Sequence, residues 1–286
     1  MISKSDVLKK LDQIDDLPTL PVIAMEVNKM LQDYDTSINE LSKTIEKDQA
    51  MVPKILKLVN SAFFGFRSKV SDINRAIIVL GFNTVRNAIV SISIINAFSK
   101  KEIPEDFDIA EFWKHSIGVA VTSKHLAKMT GMNRAEDYFT GGLLHDIGKV
   151  VLVQYFRDLF KKVWISTHEN NLSFYEAEKK EIPIAHPRIG GYLAKKWQLP
   201  VGLVDTIRFH HGPAETANDY ELLMIVHAAN IIVNNVTAVS REPIDILMSN
   251  SDIKELMEPQ LDTLEEWYPE VSKEIESACE FFLNEI

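Results

Sequence analysis

Apolar residues recur along this chain at spacings of three and four positions, which is the period of an amphipathic helix. One such run comprises Ile73, Ala76, Ile77 and Leu80. Gly81 follows the run directly, and glycine commonly ends a helix because it tolerates a left-handed backbone. Ser37 and Glu40 have the spacing of a capping box at the start of another helix. No stretch combines sustained alternation with hairpin turns, so the sequence predicts an all-α fold with little sheet.

Two polar breaks interrupt the helical pattern. The segment 99–106 is polar and contains a proline, which predicts a junction between two helical lobes. A second break, 212–216, follows a pair of histidines, and the sequence after residue 240 is acidic and amphipathic. We therefore predict an N-terminal helical lobe over 15–100, a second helical lobe over 107–235 and a C-terminal helical segment over 236–286.

Composition and charge narrow the choice of partner and compartment. The chain has 286 residues, 46% hydrophobic and 25% charged, and its formal net charge of -10 argues against nucleic acid as a partner. The apolar stretch from Ala88 to Phe98 is too short to span a bilayer and predicts a buried helix. The start lacks a signal-peptide pattern, and Cys279 is the single cysteine. We expect a cytoplasmic protein with no disulfide and no membrane partner.

The candidate chemistry centres on residues 142–149, where His145 and Asp146 are adjacent and Lys149 follows. Imidazole and carboxylate groups together suit a divalent metal ion, and ionisable groups in an apolar helical stretch need partners. Further candidates for a shared site are Glu111, His115, His186, His210 and His211. An ion held there would lower the pKa of a bound water for attack on phosphorus, with Asp146 and Lys149 as the catalytic candidates.

Helical spacing predicts how these side chains are presented. Glu111 and His115 are four residues apart and share a helix face, as do His145 and Lys149. On a continuous helix Asp146 would point ~100° away from His145, so both can reach one ion only if it lies between the two directions.

The remaining histidines divide into helix-end candidates and residues without a predicted role. His186 precedes a proline, which predicts a helix start. His210 and His211 precede the break at 212–213, so we expect them at a helix C-terminus, where the helix dipole favours protonation in the absence of metal. Surface or capping positions are predicted for His125, His168 and His227. For Lys149 a solvated helix position remains the alternative to a role at the site.

Several motifs in one consistent order resemble the HDOD family of bacterial signalling proteins. They are Leu17-Pro18-Thr19-Leu20-Pro21, Glu46-Lys47-Asp48-Gln49-Ala50, the stretch from Lys54 to Ala62 with its Asn60-Ser61-Ala62 ending, Arg75 to Gly81, Gly142 to Lys149 and His186 to Gly191. Gln49 stands where the family usually has proline. The resemblance spans roughly residues 15–235.

HDOD proteins are similar to the HD-GYP phosphodiesterases of the HD metal-dependent phosphohydrolase superfamily. The resemblance implies an HD-like helical bundle for the second lobe. It implies metal ligation by His115, His145, Asp146, His186, His210 and His211, with Glu111 and Lys149 matching the extra carboxylate and the lysine of HD-GYP members. Two departures stand out: the Gly-Tyr-Pro motif is absent after the paired histidines, and Asn230 replaces the final Asp. An amide is a poorer metal ligand than a carboxylate.

The resemblance implies a signalling or regulatory module that binds a protein partner or a nucleotide-type small ligand. Its largely retained metal site would hold one or two divalent transition metal ions, with iron, zinc and manganese as the candidates. The alternative is an active metal-dependent phosphohydrolase or phosphodiesterase acting on a nucleotide. The two departures from the HD-GYP pattern favour the signalling module, whereas the retained ligands and Lys149 favour the active hydrolase. We expect weak or absent hydrolysis of cyclic dinucleotides; the sequence leaves the oligomeric state open.

Overall fold

The computed structural model describes residues 3–14, 17, 22–30, 36–60, 69–99, 103–104, 106–212, 215–236 and 251–283. Every regular element among these residues is a helix, which confirms the all-α prediction. The helices of the first half are α1 (Lys4–Gln13), α2 (Val22–Met30), α3 (Ile38–Glu46), α4 (Met51–Val59), α5 (Ile73–Leu80), α6 (Phe82–Ser99), α7 (Ile109–Met129) and α8 (Ala135–Leu144). Those of the second half are α9 (Ile147–Tyr155), α10 (Arg157–Asn170), α11 (Phe174–Glu181), α12 (His186–Lys196), α13 (Val201–Phe209), α14 (Tyr220–Val236), α15 (Ser251–Asp262) and α16 (Leu264–Leu283).

Local sequence signals set several helix ends. The predicted capping box begins α3: Ser37 accepts from the backbone N–H of Glu40, and the Glu40 carboxylate accepts from the Ser37 N–H at 2.9 Å. Gly81 ends α5 with φ +83°, a conformation that favours glycine. Asp108 caps α7 by accepting from the N–H of Glu111 at 2.9 Å. The predicted capping box at Ser37 and the predicted helix end at Gly81 are therefore confirmed.

The helices pack in two groups that meet through α6 and α8. Helices α2 to α6 contact one another, and helices α7 to α14 form the second group, with α16 packed against α7. Arg86 of α6 forms an ion pair with Asp137 of α8 at 2.6 Å, and both side chains are mostly buried. The predicted junction 99–106 falls between α6 and α7, and its residues 100–102 and 105 lie outside the described part of the chain.

Within the described part of the chain, no single helix is long and apolar enough to cross a membrane. Helices α5 and α6 meet that length and composition only when taken together, and they are bent by 115° at their junction. The apolar stretch from Ala88 to Phe98 lies in α6, where most of its side chains are buried as predicted.

Candidate metal centre

His145 and Asp146 lie at a break between two helices. His145 is the C-cap of α8, and Asp146, with φ -98° and ψ 6°, is the N-cap of α9. The continuous helix that we assumed from the spacing is therefore wrong at this point. The turn brings His145 Nε2 to 3.3 Å from Asp146 Oδ2, so the two neighbouring side chains face the same space.

The Oδ1 atom of Asp146 faces three histidines. His186 Nε2 lies 2.9 Å from this oxygen and His210 Nε2 lies 3.4 Å from it. His211 Nε2 lies 3.3 Å from His186 Nε2. The ligand atoms of these four residues all lie within 4.8 Å of one another, an arrangement that could hold a metal ion. We call this group the Oδ1 position.

The Oδ2 atom of Asp146 faces a second, smaller group. His145 and His115 approach it through Nε2 at 3.3 Å and 3.8 Å, and these ligand atoms also lie within 4.8 Å of one another. Lys149 donates to the same oxygen at 2.6 Å. Asn230 lies beside the His115 ring, and its Oδ1 accepts from Asn234 Nδ2 at 3.2 Å. This Oδ2 position thus contains an ammonium group and an amide beside its three ligand atoms.

The Nδ1 atoms of three cluster histidines face oxygens that can only accept. The contacts are His145 with Gly142 O at 2.6 Å, His210 with Ile207 O at 2.9 Å and His186 with the Glu178 carboxylate at 2.5 Å. Each Nδ1 must therefore carry a proton, so the nitrogen that each ring turns toward Asp146 is Nε2, whose lone pair is free whenever the ring is neutral. Three imidazole nitrogens thus surround the Asp146 carboxylate, an arrangement that a proton or a metal cation would stabilise.

Burial makes this convergence costly without a cation. His145, His186 and His210 have fully buried side chains, and that of Asp146 is almost fully buried. His145 Nε2 and Asp146 Oδ1 have no aligned hydrogen-bond partner among the described residues. Buried polar atoms without partners are rare because desolvation is not repaid. Three imidazole nitrogens and one carboxylate oxygen at the Oδ1 position fit a divalent transition metal ion.

Burial and the neighbouring charges shift the pKa values of the cluster histidines in different directions. Burial lowers the pKa of His115 and of His210 to about 3, and it also lowers that of His211. The predicted protonation of His210 and His211 by the helix dipole is therefore wrong, because desolvation outweighs the dipole. Burial opposes a charged His186, but the Glu178 and Asp146 carboxylates outweigh it and raise the His186 pKa.

The ionised form of Asp146 is strongly favoured despite its burial. Desolvation acts to raise the carboxyl pKa, yet His145, Lys149 and His186 hold that pKa well below its usual value. Asp146 is thus an anion at the centre of the cluster, available to both groups of histidines.

The structure brings together His115, His145, Asp146, Lys149, His186, His210 and His211, but it places Glu111 elsewhere. The Glu111 carboxylate lies 3.6 Å from Lys114 Nζ, and its side chain is 53% exposed. A shared helix face with His115 does not suffice, because Glu111 lies one turn closer to the exposed start of α7. His125 and His168 also lie outside the cluster, against Trp267 and Trp164.

Two supporting residues were not predicted from the sequence. Glu178 of α11 is fully buried against His186. His227, for which we predicted no role, is buried and donates from Nδ1 to the His210 carbonyl at 2.6 Å. Neither lies in a motif around the ligands. His227 lies in an apolar stretch, where an ionisable side chain needs a partner. Glu178 lies among charged residues, so no such signal marks it in the sequence.

The cluster is partly open to solvent at Lys149, His115 and His211. The side chains of Lys149 and His115 are 21% and 15% exposed, and that of His211 is half-buried. Tyr175 stacks on the His211 ring with centroids 4.0 Å apart and planes 5° apart. Lys149 also lies over the Phe174 ring at 5.4 Å. Helix α11 thus supplies an aromatic edge to the opening.

The HDOD domain family model matches residues 17–213. A solved HDOD domain protein of unknown function from Geobacter sulfurreducens is 25% identical, with a TM-score of 0.81 over 97% of this chain and 98% of that one. A structure named "Putative phosphohydrolase", from Shewanella amazonensis SB2B, is 24% identical, with a TM-score of 0.75 over 95% and 97% of the two chains, a likeness of fold. A protein of Treponema pallidum (strain Nichols) is 29% identical over 224 residues, covering 78% of this chain and 43% of that protein. The chain therefore spans less than half the length of this curated relative.

Proposed function

The chain belongs to the HDOD family, and from this membership and the cluster around Asp146 we propose a regulatory module that binds a divalent transition metal ion. The observation that carries the proposal is the convergence of the Nε2 atoms of His145, His186 and His210 on a buried carboxylate. Imidazole nitrogens around a carboxylate oxygen are the kind of ligand set that a divalent transition metal ion takes.

We place the principal ion at the Oδ1 position. This position offers the nitrogens of His186, His210 and His211 beside one carboxylate oxygen. At the Oδ2 position the Lys149 ammonium group already contacts the carboxylate, and Asn230 supplies an amide where a carboxylate would bind more strongly. A second ion there must compete with Lys149, so we expect lower affinity and one ion per chain under ordinary conditions.

The regulatory part of the proposal concerns which ligand or partner the metal-bound module binds. Its opening is bordered by Lys149, His115 and the aromatic edge of α11. An ammonium group beside aromatic rings suits a small anionic ligand of nucleotide type, and a protein partner that senses occupancy of the site is the other candidate. The segment 60–66 is a candidate partner-binding surface, and it lies outside the described residues after Asn60.

The second candidate function is metal-dependent phosphoester hydrolysis. A bound ion supplies Lewis acidity and a water of lowered pKa. Lys149, partly exposed at the opening, is placed to neutralise charge on phosphoryl oxygens. The fold is similar to that of a structure named as a phosphohydrolase, which is compatible with this second candidate function. Asn230 and the missing Gly-Tyr-Pro motif weigh against efficient turnover.

Metal analysis tests the proposal. Protein is purified without chelator, supplemented separately with Zn²⁺, Mn²⁺ or Fe²⁺ under anaerobic conditions, desalted and analysed by inductively coupled plasma mass spectrometry. We expect close to one ion per chain for at least one metal. Absence of bound metal in every sample would reject the proposal.

Phosphoester assays on the same samples separate the two candidates. We expect no more than slow hydrolysis of cyclic dinucleotides and of simple nucleotide phosphoesters. Robust turnover that is lost in Lys149→Met would reverse the ranking and favour the enzyme.

A further inference from the structure

We infer that Glu178 is a positioning residue of the metal centre, because it fixes His186 with Nδ1 protonated and Nε2 directed at Asp146. The inference rests on the proposed metal site and extends it to a carboxylate outside the ligand set. Glu178 lies on α11, eight residues before His186, and its side chain is fully buried.

Both oxygens of Glu178 are used on His186. Oε1 accepts from the His186 backbone N–H at 3.0 Å, and Oε2 faces the ring Nδ1 at 2.5 Å. The backbone contact caps α12, whose N-cap residue Ala185 supplies no side-chain hydrogen bond. One carboxylate therefore fixes the main chain and the ring of the same ligand.

The ring contact decides which nitrogen of His186 faces the cluster. The Nδ1 contact with Glu178 is an aligned hydrogen bond, whereas Asp146 Oδ1 has no aligned donor among the described residues, although His186 Nε2 lies 2.9 Å away. The proton of the neutral ring therefore belongs on Nδ1. Carboxylates hold metal-binding histidines in this way and make the free nitrogen a stronger ligand.

Charge balance points in the same direction. No Lys or Arg of the described residues forms an ion pair with Glu178, so its partners are the His186 ring and the backbone N–H at the start of α12. Glu178 and Asp146 are two buried carboxylates on opposite sides of the His186 ring. A buried carboxylate without a countercharge is costly, and a divalent ion beyond the ring would offset it.

The variant Glu178→Gln distinguishes a role of Glu178 in orienting His186 from a role in packing alone. An amide has one oxygen, so it cannot place an acceptor at both positions that Oε1 and Oε2 of Glu178 occupy. If that oxygen keeps the cap, the amide N–H₂ group faces Nδ1 and moves the ring proton to Nε2. Glu178→Gln should therefore remain folded yet bind Zn²⁺ 10–100-fold more weakly, the usual effect of removing such a partner.

The test combines calorimetry and ¹⁵N NMR on wild type, Glu178→Gln and the control Glu176→Gln, which changes an exposed carboxylate of the same helix. Zn²⁺ affinity is measured by titration calorimetry with competing chelator. The tautomer of His186 is read in metal-free protein at a pH alkaline enough to keep the rings neutral. We expect Nδ1–H in wild type and control, Nε2–H in Glu178→Gln, and Zn²⁺ affinity reduced only in Glu178→Gln.

Each possible result of the test either supports or overturns the inference. Equal Zn²⁺ affinity in wild type and Glu178→Gln, or Nε2–H in the wild-type His186 ring, overturns the inference. If Glu178→Gln does not fold, the wild-type tautomer alone still decides. If the wild type binds no Zn²⁺ and no other metal but shows Nδ1–H, the proposed function fails while the positioning of His186 by Glu178 stands.

Discussion

The His227 ring donates a hydrogen bond from Nδ1 to the main-chain carbonyl of His210 at 2.6 Å. This contact joins the middle of α14 to the C-cap of α13. The last carbonyls of a helix lack partners within the helix, and the His210 carbonyl lies in a buried region where water is excluded. His227 therefore fixes the backbone that presents His210 and His211 to Asp146.

Replacement of His227 by phenylalanine is expected to weaken both the fold and the metal site. The variant keeps an aromatic ring but leaves the buried His210 carbonyl without its donor, a loss of about 1–3 kcal/mol in the free energy of unfolding. Urea denaturation with and without Zn²⁺ measures it, and Zn²⁺ affinity should fall at least several-fold. His168→Gln, at an exposed position, is the control. Wild-type stability in His227→Phe would show that the contact is dispensable.

Asp146→Asn is expected to abolish metal binding while the helices remain. The substitution keeps the size of the side chain but removes the negative charge that both groups of histidines face. We expect metal content below about a tenth of the wild-type value, since neutral amides are weak ligands of transition metals. Mass spectrometry gives the metal content and circular dichroism the helicity. The matched control is Asp158→Asn on the exposed side of α10, and retained metal in Asp146→Asn would place the ion elsewhere.

Sequence reasoning predicted the helices well because their signals are local. The capping box at Ser37 and the glycine at Gly81 depend on neighbours within a few residues, and both act as predicted. The grouping of histidines followed from their order and from the family resemblance. Glu178 and His227 escaped prediction because their partners lie eight and seventeen residues away. Only the approach of α11 to the start of α12 and the packing of α14 on α13 bring them together.

Two other differences between prediction and structure have physical causes that the spacing of residues in the sequence does not reveal. The turn at His145 and Asp146 breaks a helix that periodicity reads as continuous, and the break is what points both side chains at one place. The protonation of His210 depends on its degree of burial, which spacing cannot give. The order of residues in the sequence thus identifies the candidate ligands, whereas tertiary packing sets their charge state and orientation.

Gly148 is expected to tolerate no side chain. A Cβ placed there would lie 2.0 Å from the His186 carbonyl oxygen and 2.8 Å from Gly190 N, and both contacts are with backbone. Gly148→Ala must push α12 away from α9, at a cost of roughly 3 kcal/mol for overpacking a rigid contact. Thermal unfolding measures the loss, and displacement of His186 should also lower Zn²⁺ affinity. Gly212→Ala, which meets no atom within 4 Å, should match wild type. Equal stability of the two variants would contradict the close approach.

Asn230→Asp is expected to change the metal stoichiometry. Asn230 lies beside His115 at the Oδ2 position, where a carboxylate would add the negative charge that this position lacks. With excess Mn²⁺ or Zn²⁺ the variant should bind a second ion, because an added carboxylate compensates for the contact between Lys149 and Asp146. Without metal the new buried anion lies near the ionised Asp146. The variant should then unfold more easily, by on the order of 1–3 kcal/mol.

The two effects of Asn230→Asp have opposite signs, which makes the experiment decisive. Unfolding by urea is measured in chelator and in excess metal, and the added metal should stabilise the variant more than the wild type, since ligand binding to the folded state adds to its stability. Asn234→Asp serves as the control, because Asn234 contacts Asn230 but not the histidines. A second ion in Asn230→Asp but not in Asn234→Asp would assign the weakness of the Oδ2 position to the amide. Unchanged stoichiometry in Asn230→Asp would instead assign that weakness to Lys149, whose ammonium group then keeps the second ion from Asp146.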